Sequence, residues 1–204
     1  MIHTAIQHIE NRLNSYLSLR VPPTNPSDTW VVTDALLNQQ GSPKYENTNK
    51  IILSLVGIQE DRIGHSVEYQ RRQSNGAFQQ KNPEVKLNLY LLFAINTNDS
   101  SSENSSTHYK TMLKLLSYVV SFFQAHYFLT PQNSPGLDEN IEKLIFELQS
   151  LTFEQQNYLW GSIGTKYSPS VLYRVRLISI EDDATAPELP GISALELSET
   201  DSSQ

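Results

Sequence analysis

The stretch Leu159 to Arg176, LWGSIGTKYSPSVLYRVR, joins a helix end, a glycine-hinged turn and an arginine-bearing strand. Ser168-Pro169 opens that strand, because proline pushes the residue before it toward extended geometry. Val171, Tyr173, Val175 and Leu177 then face one way while Arg174 and Arg176 face the other, which is the period of two of a strand with one covered face. Upstream, Thr152-Phe153-Glu154-Gln155 is a capping-box pattern, in which the threonine oxygen and the glutamine side chain satisfy backbone donors at a helix start. It predicts a short helix through Trp160. Gly161 and Gly164 follow that helix and read as C-capping residues, whereas a phosphate loop would follow a strand and open a helix.

Working outward, Leu144, Phe146 and Leu148 alternate with Lys143, Ile145 and Glu147 and mark a short strand leading into the capping box. Between Val85 and Ile95 every odd position is apolar, while the even set includes Lys86, Asn88 and Tyr90, so a half-buried strand is expected. Lys50 to Ile58, KIILSLVGI, is too apolar to face solvent and predicts a central strand covered on both sides. Trp30 to Thr33 adds a short β segment, and Gln39 to Asn49 reads as a loop.

Ile2, Ile6, Ile9, Leu13 and Tyr16 line one stripe of an opening helix. The helix must end before Val21-Pro22-Pro23, where residues 21–28 form a stiff connector. Tyr109, Met112, Leu116, Val119 and Phe123, widened by Leu115 and Phe122, predict a second helix packed across a sheet, with Pro131 to Gly136 breaking the chain after it. Asn96 to Thr107 is polar and low in complexity and predicts a mobile surface loop. Glu60 to Pro83 reads either as a long exposed hairpin or as an arm that orders on a partner. The order of elements predicts an α+β domain, with helices laid on a mostly antiparallel sheet.

At 204 residues the chain is long enough to bury a core, and a domain of that size removes roughly 70% of its unfolded surface from water. It contains no cysteine, which removes disulfides and thiolate chemistry and favours folding in a reducing compartment such as the cytoplasm. No run approaches the roughly 20 apolar residues that span a bilayer, and the polar start MIHTAIQHIENRLN does not resemble a signal peptide, so neither membrane insertion nor export is expected. The net charge of -7 is carried by Glu181, Asp182, Asp183, Glu188, Glu196, Glu199 and Asp201. The neutral remainder implies no general attraction to nucleic acid. The reading is one domain over residues 1–182 and an acidic, flexible tail over 183–204, in which Leu189, Ile192, Leu195 and Leu197 leave a capacity to dock on a neighbouring subunit.

No catalytic, cofactor or metal residues emerge. His3, His8, His65, His108 and His126 are scattered without ligand spacing, and Ser66, Ser162, Ser168 and Ser170 lie outside any nucleophile elbow. Glu147 and Glu154 fall on different elements and read as surface carboxylates. Tyr173 belongs to a core face, while Trp160 reads equally as core or as a partner anchor. Arg174 and Arg176, with Lys166 upstream, read as pairing with acids of an adjacent subunit or as a solvated basic edge.

Three stretches in order, LNLYLLFA at Leu87 to Ala94, LLSYVVSFFQ at Leu115 to Gln124 and the closing LWGSIGTKYSPSVLYRVR, resemble the tail terminator or cap proteins of bacterial contractile injection systems, of the antifeeding-prophage and Photorhabdus-virulence-cassette type. The resemblance extends over nearly all of Ile2 to Ile180 and implies an asparagine-tyrosine turn after the opening helix, LNSYL at Leu13 to Leu17. It implies a phage tail-terminator-like fold and a structural cap that binds the distal end of the inner tube and the sheath, stops polymerisation and anchors the sheath during contraction. The implied partners are other copies in a homo-hexameric ring, the inner tube protein, the sheath protein and, in some particles, a second cap protein. No cofactor, nucleic acid or membrane insertion is implied, and assembly is expected in the cytoplasm as part of a phage tail-like particle. The ring reading expects self-association through sheet edges and the polar arm, with Arg71, Arg72, Trp160, Lys166, Arg174 and Arg176 as interface candidates. An accessory adaptor joining the particle end to another component, a small α+β enzyme, and a nucleic-acid binder using Arg71, Arg72 and Lys81 are the competing classes.

Overall fold

The computed structural model describes residues 1–23, 25, 28–45, 48–61, 70–72, 78–80, 86–97 and 105–179. The chain divides into a unit of Met1–Arg62 with Val85–Ile180 and a second unit of Ile63–Glu84 with Glu181–Gln204. In chain order the elements are α1 (Ile2–Ser18), β1 (Val31–Thr33), β2 (Lys50–Glu60), β3 (Gln70–Arg72), β4 (Phe78–Gln80), β5 (Lys86–Asn96), α2 (Ser105–Ala125), β6 (Phe128–Leu129), β7 (Ile141–Gln149), α3 (Phe153–Ile163) and β8 (Ser170–Ser179). Six strands form one sheet in the order β1-β2-β5-β8-β7-β6. Its pairings are antiparallel except β1 with β2. The α+β class with a mostly antiparallel sheet is therefore as expected.

The stripe of α1 packs where its spacing places it: Ile6, Ile9 and Leu13 are buried with Ala5 and Leu17, and Ile2 and Tyr16 pack against them. LNSYL is not a turn. The helix continues through Ser18 and ends ahead of the prolines. Asn14, a weak helix former, is tolerated because its side chain clasps the neighbouring strand: Oδ1 accepts from the Trp30 and Val31 N–H groups at 3.0 and 2.8 Å, and Nδ2 donates to the Val31 carbonyl at 2.9 Å.

The helical face of the sheet is held by an aromatic cluster from four elements. Phe123 of α2 lies 5.5 Å from Phe93 of β5, 4.6 Å from Phe146 of β7 and 4.5 Å from Tyr173 of β8, ring centre to ring centre. Tyr16 of α1 meets the adjacent Phe122 edge-on at 5.1 Å. Such pairs add about 0.5–1.5 kcal/mol each beyond the burial of their area. Of the predicted α2 stripe, Tyr109 instead faces solvent, and Met112, Leu115, Leu116, Val119, Phe122 and Phe123 are buried.

β5 departs from the half-buried expectation. Leu89, Leu91, Phe93 and Ile95 face the helices, yet Leu92 and Ala94 on the other side are also buried, in a second cluster with Trp160 and Leu172. α3 covers that end of the second face, a contact that alternation along one strand does not reveal. β2 is covered on both sides only from Ile51 to Ser54. After the bulge between Leu55 and Gly57, Ile58 is 52% exposed. It is also not central, since β5 and β8 occupy the middle of the sheet.

The expected loop of residues 96–107 is shorter than predicted: β5 runs through Asn96, and α2 already begins at Ser105. β6 was not legible in sequence, and β7 begins at Ile141, earlier than its alternation suggested. The capping box is present, with Gln155 N–H donating to Thr152 Oγ1 at 3.2 Å and Thr152 N–H to Gln155 Oε1 at 3.0 Å. Only Gly164 caps the helix, at φ 82°, which glycine adopts without strain. Gly161 lies inside α3.

In the second unit, β3 and β4 pair antiparallel with Arg71 opposite Gln79 and Arg72 opposite Phe78, so a hairpin is present within Glu60 to Pro83. The acidic tail lies outside the described residues.

Candidate functional site

Register decides what the second face of the sheet carries beyond α3. Tyr90 of β5, Arg174 of β8 and Glu147 of β7 sit abreast, as do Asn88, Arg176 and Ile145 one step along. Alternation then brings both arginines to the same open face. Arg174 donates from Nε to Glu147 Oε2 at 2.9 Å and from Nη2 to the same oxygen. Arg176 Nε lies 3.0 Å from Asp61 Oδ2, and its Nη2 lies 3.8 Å from Glu147 Oε1. Glu147 thus bridges two cations, and its hydrogen bond is the main cause that raises the Arg174 pKa above the ordinary arginine value.

Each arginine has an acid within its own chain. About a third of each arginine side chain and of Glu147 stays exposed, so the ladder still presents charge outward. Glu147 and Asp61 are the residues that reading along the chain missed as partners. The signal for Glu147 was its place in the set Lys143, Ile145 and Glu147, opposite the apolar side of its strand, but only register puts it beside Arg174.

Trp160 is 4% exposed and packs with Leu92, Ala94 and Leu172, with Tyr167 edge-on at 5.8 Å. It is a core residue of the second face, and among the described residues its indole N–H meets no acceptor. Beside it runs a groove of about 330 Å³ between α3 and the adjoining ends of β7 and β8, with Leu92, Leu148, Leu151, Leu159, Trp160 and Leu172 in its wall and no charged side chain. Lys166 is exposed in the segment between α3 and β8. Arg71 and Arg72 lie on β3 in the second unit. The structure therefore brings Trp160, Arg174 and Arg176 to one sheet face.

Two of the histidines, His8 and His126, serve packing. His8 is 2.7 Å from Ser134 Oγ, and His126 stacks on Phe122 with its Nδ1 3.0 Å from the Phe122 carbonyl oxygen. Among the described residues no group of three or more His, Asp or Glu side chains is placed to hold a metal ion. No described helix is long and apolar enough to cross a membrane.

Two solved structures share this fold of helices laid on a mostly antiparallel sheet. The anti-feeding prophage cap, a tube-terminating cap, aligns with 94% of this chain at a TM-score of 0.56 and 16% identity. The sheath/tube terminator of an extracellular contractile injection system, PVC, in its extended state aligns with 99% at a TM-score of 0.53 and 14% identity. This chain spans 60% of the first protein and 65% of the second. The Pvc16 N-terminal domain family matches residues 4–194, and the chain belongs to that family. The match reaches into the acidic stretch that the sequence reading set apart as a tail. No curated protein matches the sequence.

Proposed function

We propose that this chain is a structural cap of a contractile injection system, which binds the distal end of the inner tube and of the sheath and ends their polymerisation. The observation that carries the reading is family membership over residues 4–194, joined to a fold shared with two proteins described as terminators. A head-to-tail polymer grows until its exposed interface is covered by a subunit that does not present the next one. The chain acts as a homo-hexameric ring assembled in the cytoplasm, holds the last sheath ring during contraction, works beside a second cap protein in some particles, and has no catalytic activity. Residues 1–182 form the terminator domain and residues 183–204 its appended tail. The outward-facing Arg174–Glu147–Arg176 ladder, together with Lys166, Arg71 and Arg72, contributes to contacts with neighbouring subunits, the tube or the sheath.

Electron microscopy of particles assembled from the native gene cluster with and without this chain tests the proposal. Tubes that become overlong, heterogeneous or sheathless in its absence support a terminator. Unchanged length distributions overturn it and favour the accessory adaptor.

A further inference from the structure

The outer seam between α1 and α2 gathers positive charge outside the arginine ladder of the sheet. Tyr16 of α1 meets Phe122 of α2, and Arg20, one turn further along, has its guanidinium 5.9 Å from the Tyr118 ring, so the two helices run antiparallel. Arg12, Tyr16 and Arg20 are spaced by four residues along α1 and its C-terminal end, and Lys110, Lys114 and Tyr118 by four along α2, so each set lies along one side of its helix. The Arg20 guanidinium sits 3.5 Å over the Tyr16 ring and donates to the Tyr16 carbonyl at 3.2 Å, while Lys114 Nζ lies 5.9 Å from the Tyr118 ring. Arg20, Lys110 and Lys114 are exposed, Arg12 is half-buried, and Leu19 beside them is 84% exposed.

No acid answers these cations. α2 contains no Asp or Glu, and Glu10, the one acid of α1, lies toward Tyr45 on the other flank of the helix. Among the described residues Arg12, Arg20, Lys110 and Lys114 make no ion pair, whereas Lys44, Arg174 and Arg176 each have an acid in reach. We propose that the α1–α2 seam is a docking site for a carboxylate-rich, extended segment of another protein. The segment sets its acids against Arg20, Lys114 and Lys110 and an aliphatic side chain against Leu19.

Charge, spacing and the state of the rings select this occupant. Covering unpaired cations is favourable only with anions, because a neutral or basic surface would strip them of water without replacing it. Arg20, Lys114 and Lys110 follow one another at about one helical turn, roughly 6 Å, and alternate residues of an extended chain are about 6.7 Å apart, so acids at every second residue meet successive cations. A nucleic acid binds single strands by stacking bases on aromatic faces, and the Tyr16 face is already covered by Arg20. The net charge of -7 also opposes a long polyanion or an anionic bilayer. Rings that hold the cations in place lower the side-chain freedom lost on binding. The inference stands apart from the cap reading, since it concerns the isolated chain.

Nitrogen-15 NMR of the full chain titrated with a capped dodecapeptide alternating glutamate and alanine tests it. At low salt the Leu19, Arg20, Lys114 and Tyr118 amides are expected to shift together at millimolar peptide, and raising the salt to about 0.3 M should weaken binding at least tenfold, because exposed charges are then screened within a few ångströms. The matching lysine–alanine peptide should leave these resonances in place. Lys110→Gln combined with Lys114→Gln, both at exposed helix positions, should weaken binding of the acidic peptide at least fivefold with the remaining spectrum preserved. Lys110→Glu with Lys114→Glu should accept the lysine–alanine peptide instead, and Lys166→Glu, on the connection between α3 and β8, should change nothing. Absence of any shift overturns the inference, as does equal binding by the Lys110→Gln, Lys114→Gln variant. Tighter binding of a thymidine dodecanucleotide or of phosphatidylserine vesicles at the same resonances overturns it in favour of nucleic acid or membrane. Shifts of these resonances with protein concentration alone also overturn it, by assigning the seam to a second copy.

Discussion

Replacing Asn14 with alanine should destabilise the domain through a strand that Asn14 does not belong to. Its side chain makes three hydrogen bonds to the backbone of Trp30 and Val31, all at or under 3.0 Å and part-buried. At about 1 kcal/mol for each such bond the loss is about 3 kcal/mol. Alanine returns roughly 0.5 kcal/mol because it is the better helix former, and water re-solvates part of the exposed β1 edge, leaving a net cost of about 2 kcal/mol. With a urea slope of roughly 2.5 kcal/mol/M, the unfolding midpoint falls by about 0.8 M. Native-state hydrogen exchange should accelerate at the Trp30 and Val31 amides well beyond the global change. Ser15→Ala, which removes one exposed bond from Ser15 Oγ to the Asn11 carbonyl, is the control and should stay within about 0.5 kcal/mol of the parent. A midpoint for Asn14→Ala indistinguishable from that control would refute the clasp as the device that holds β1.

Further outcomes separate packing from assembly. Arg174→Glu places like charges together at Glu147 and, on the proposed ring, should weaken its assembly. Adding Glu147→Arg restores the pair, worth no more than about 1 kcal/mol at this exposure, so a double variant that recovers thermal stability but not assembly, judged by analytical ultracentrifugation, assigns the ladder to an interface. Gly164→Ala, at φ 82°, should cost about 1–2 kcal/mol in urea unfolding although a methyl group there meets only Leu37 Cδ1 at 3.7 Å. His8 has its pKa lowered from 6.5, first by burial and then by the Arg12 charge. The unfolded chain therefore takes up the proton first, so stability is complete above pH 6.5 and declines as the pH falls toward the folded value. Urea midpoints at pH 7.5 and 6.0 should differ for the parent and converge in His8→Gln.

Local chemistry was legible wherever a residue's environment is set by its neighbours along the chain. The α1 stripe, the α2 face from Met112 onward, the Thr152–Gln155 capping box, the Gly164 cap and the two sides of β8 all follow from helical or strand periodicity. These patterns were sufficient for the α+β class, and the order of the three resembling stretches pointed to the terminator family. Family membership then rests on the match over residues 4–194.

What only the tertiary structure decided are the relations between segments distant in sequence. Asn14 is a weak helix former in isolation and a strand clasp once β1 lies beside it. Trp160 becomes core, and Leu92 and Ala94 change from the open side of a half-buried strand to a second packed layer, because α3 folds back over β5 and β8. Glu147 is one acid among many until register sets it between Arg174 and Arg176. Periodicity reports which side of an element is apolar, whereas register and helix placement are set by the summed packing of all elements and leave no mark on any one of them.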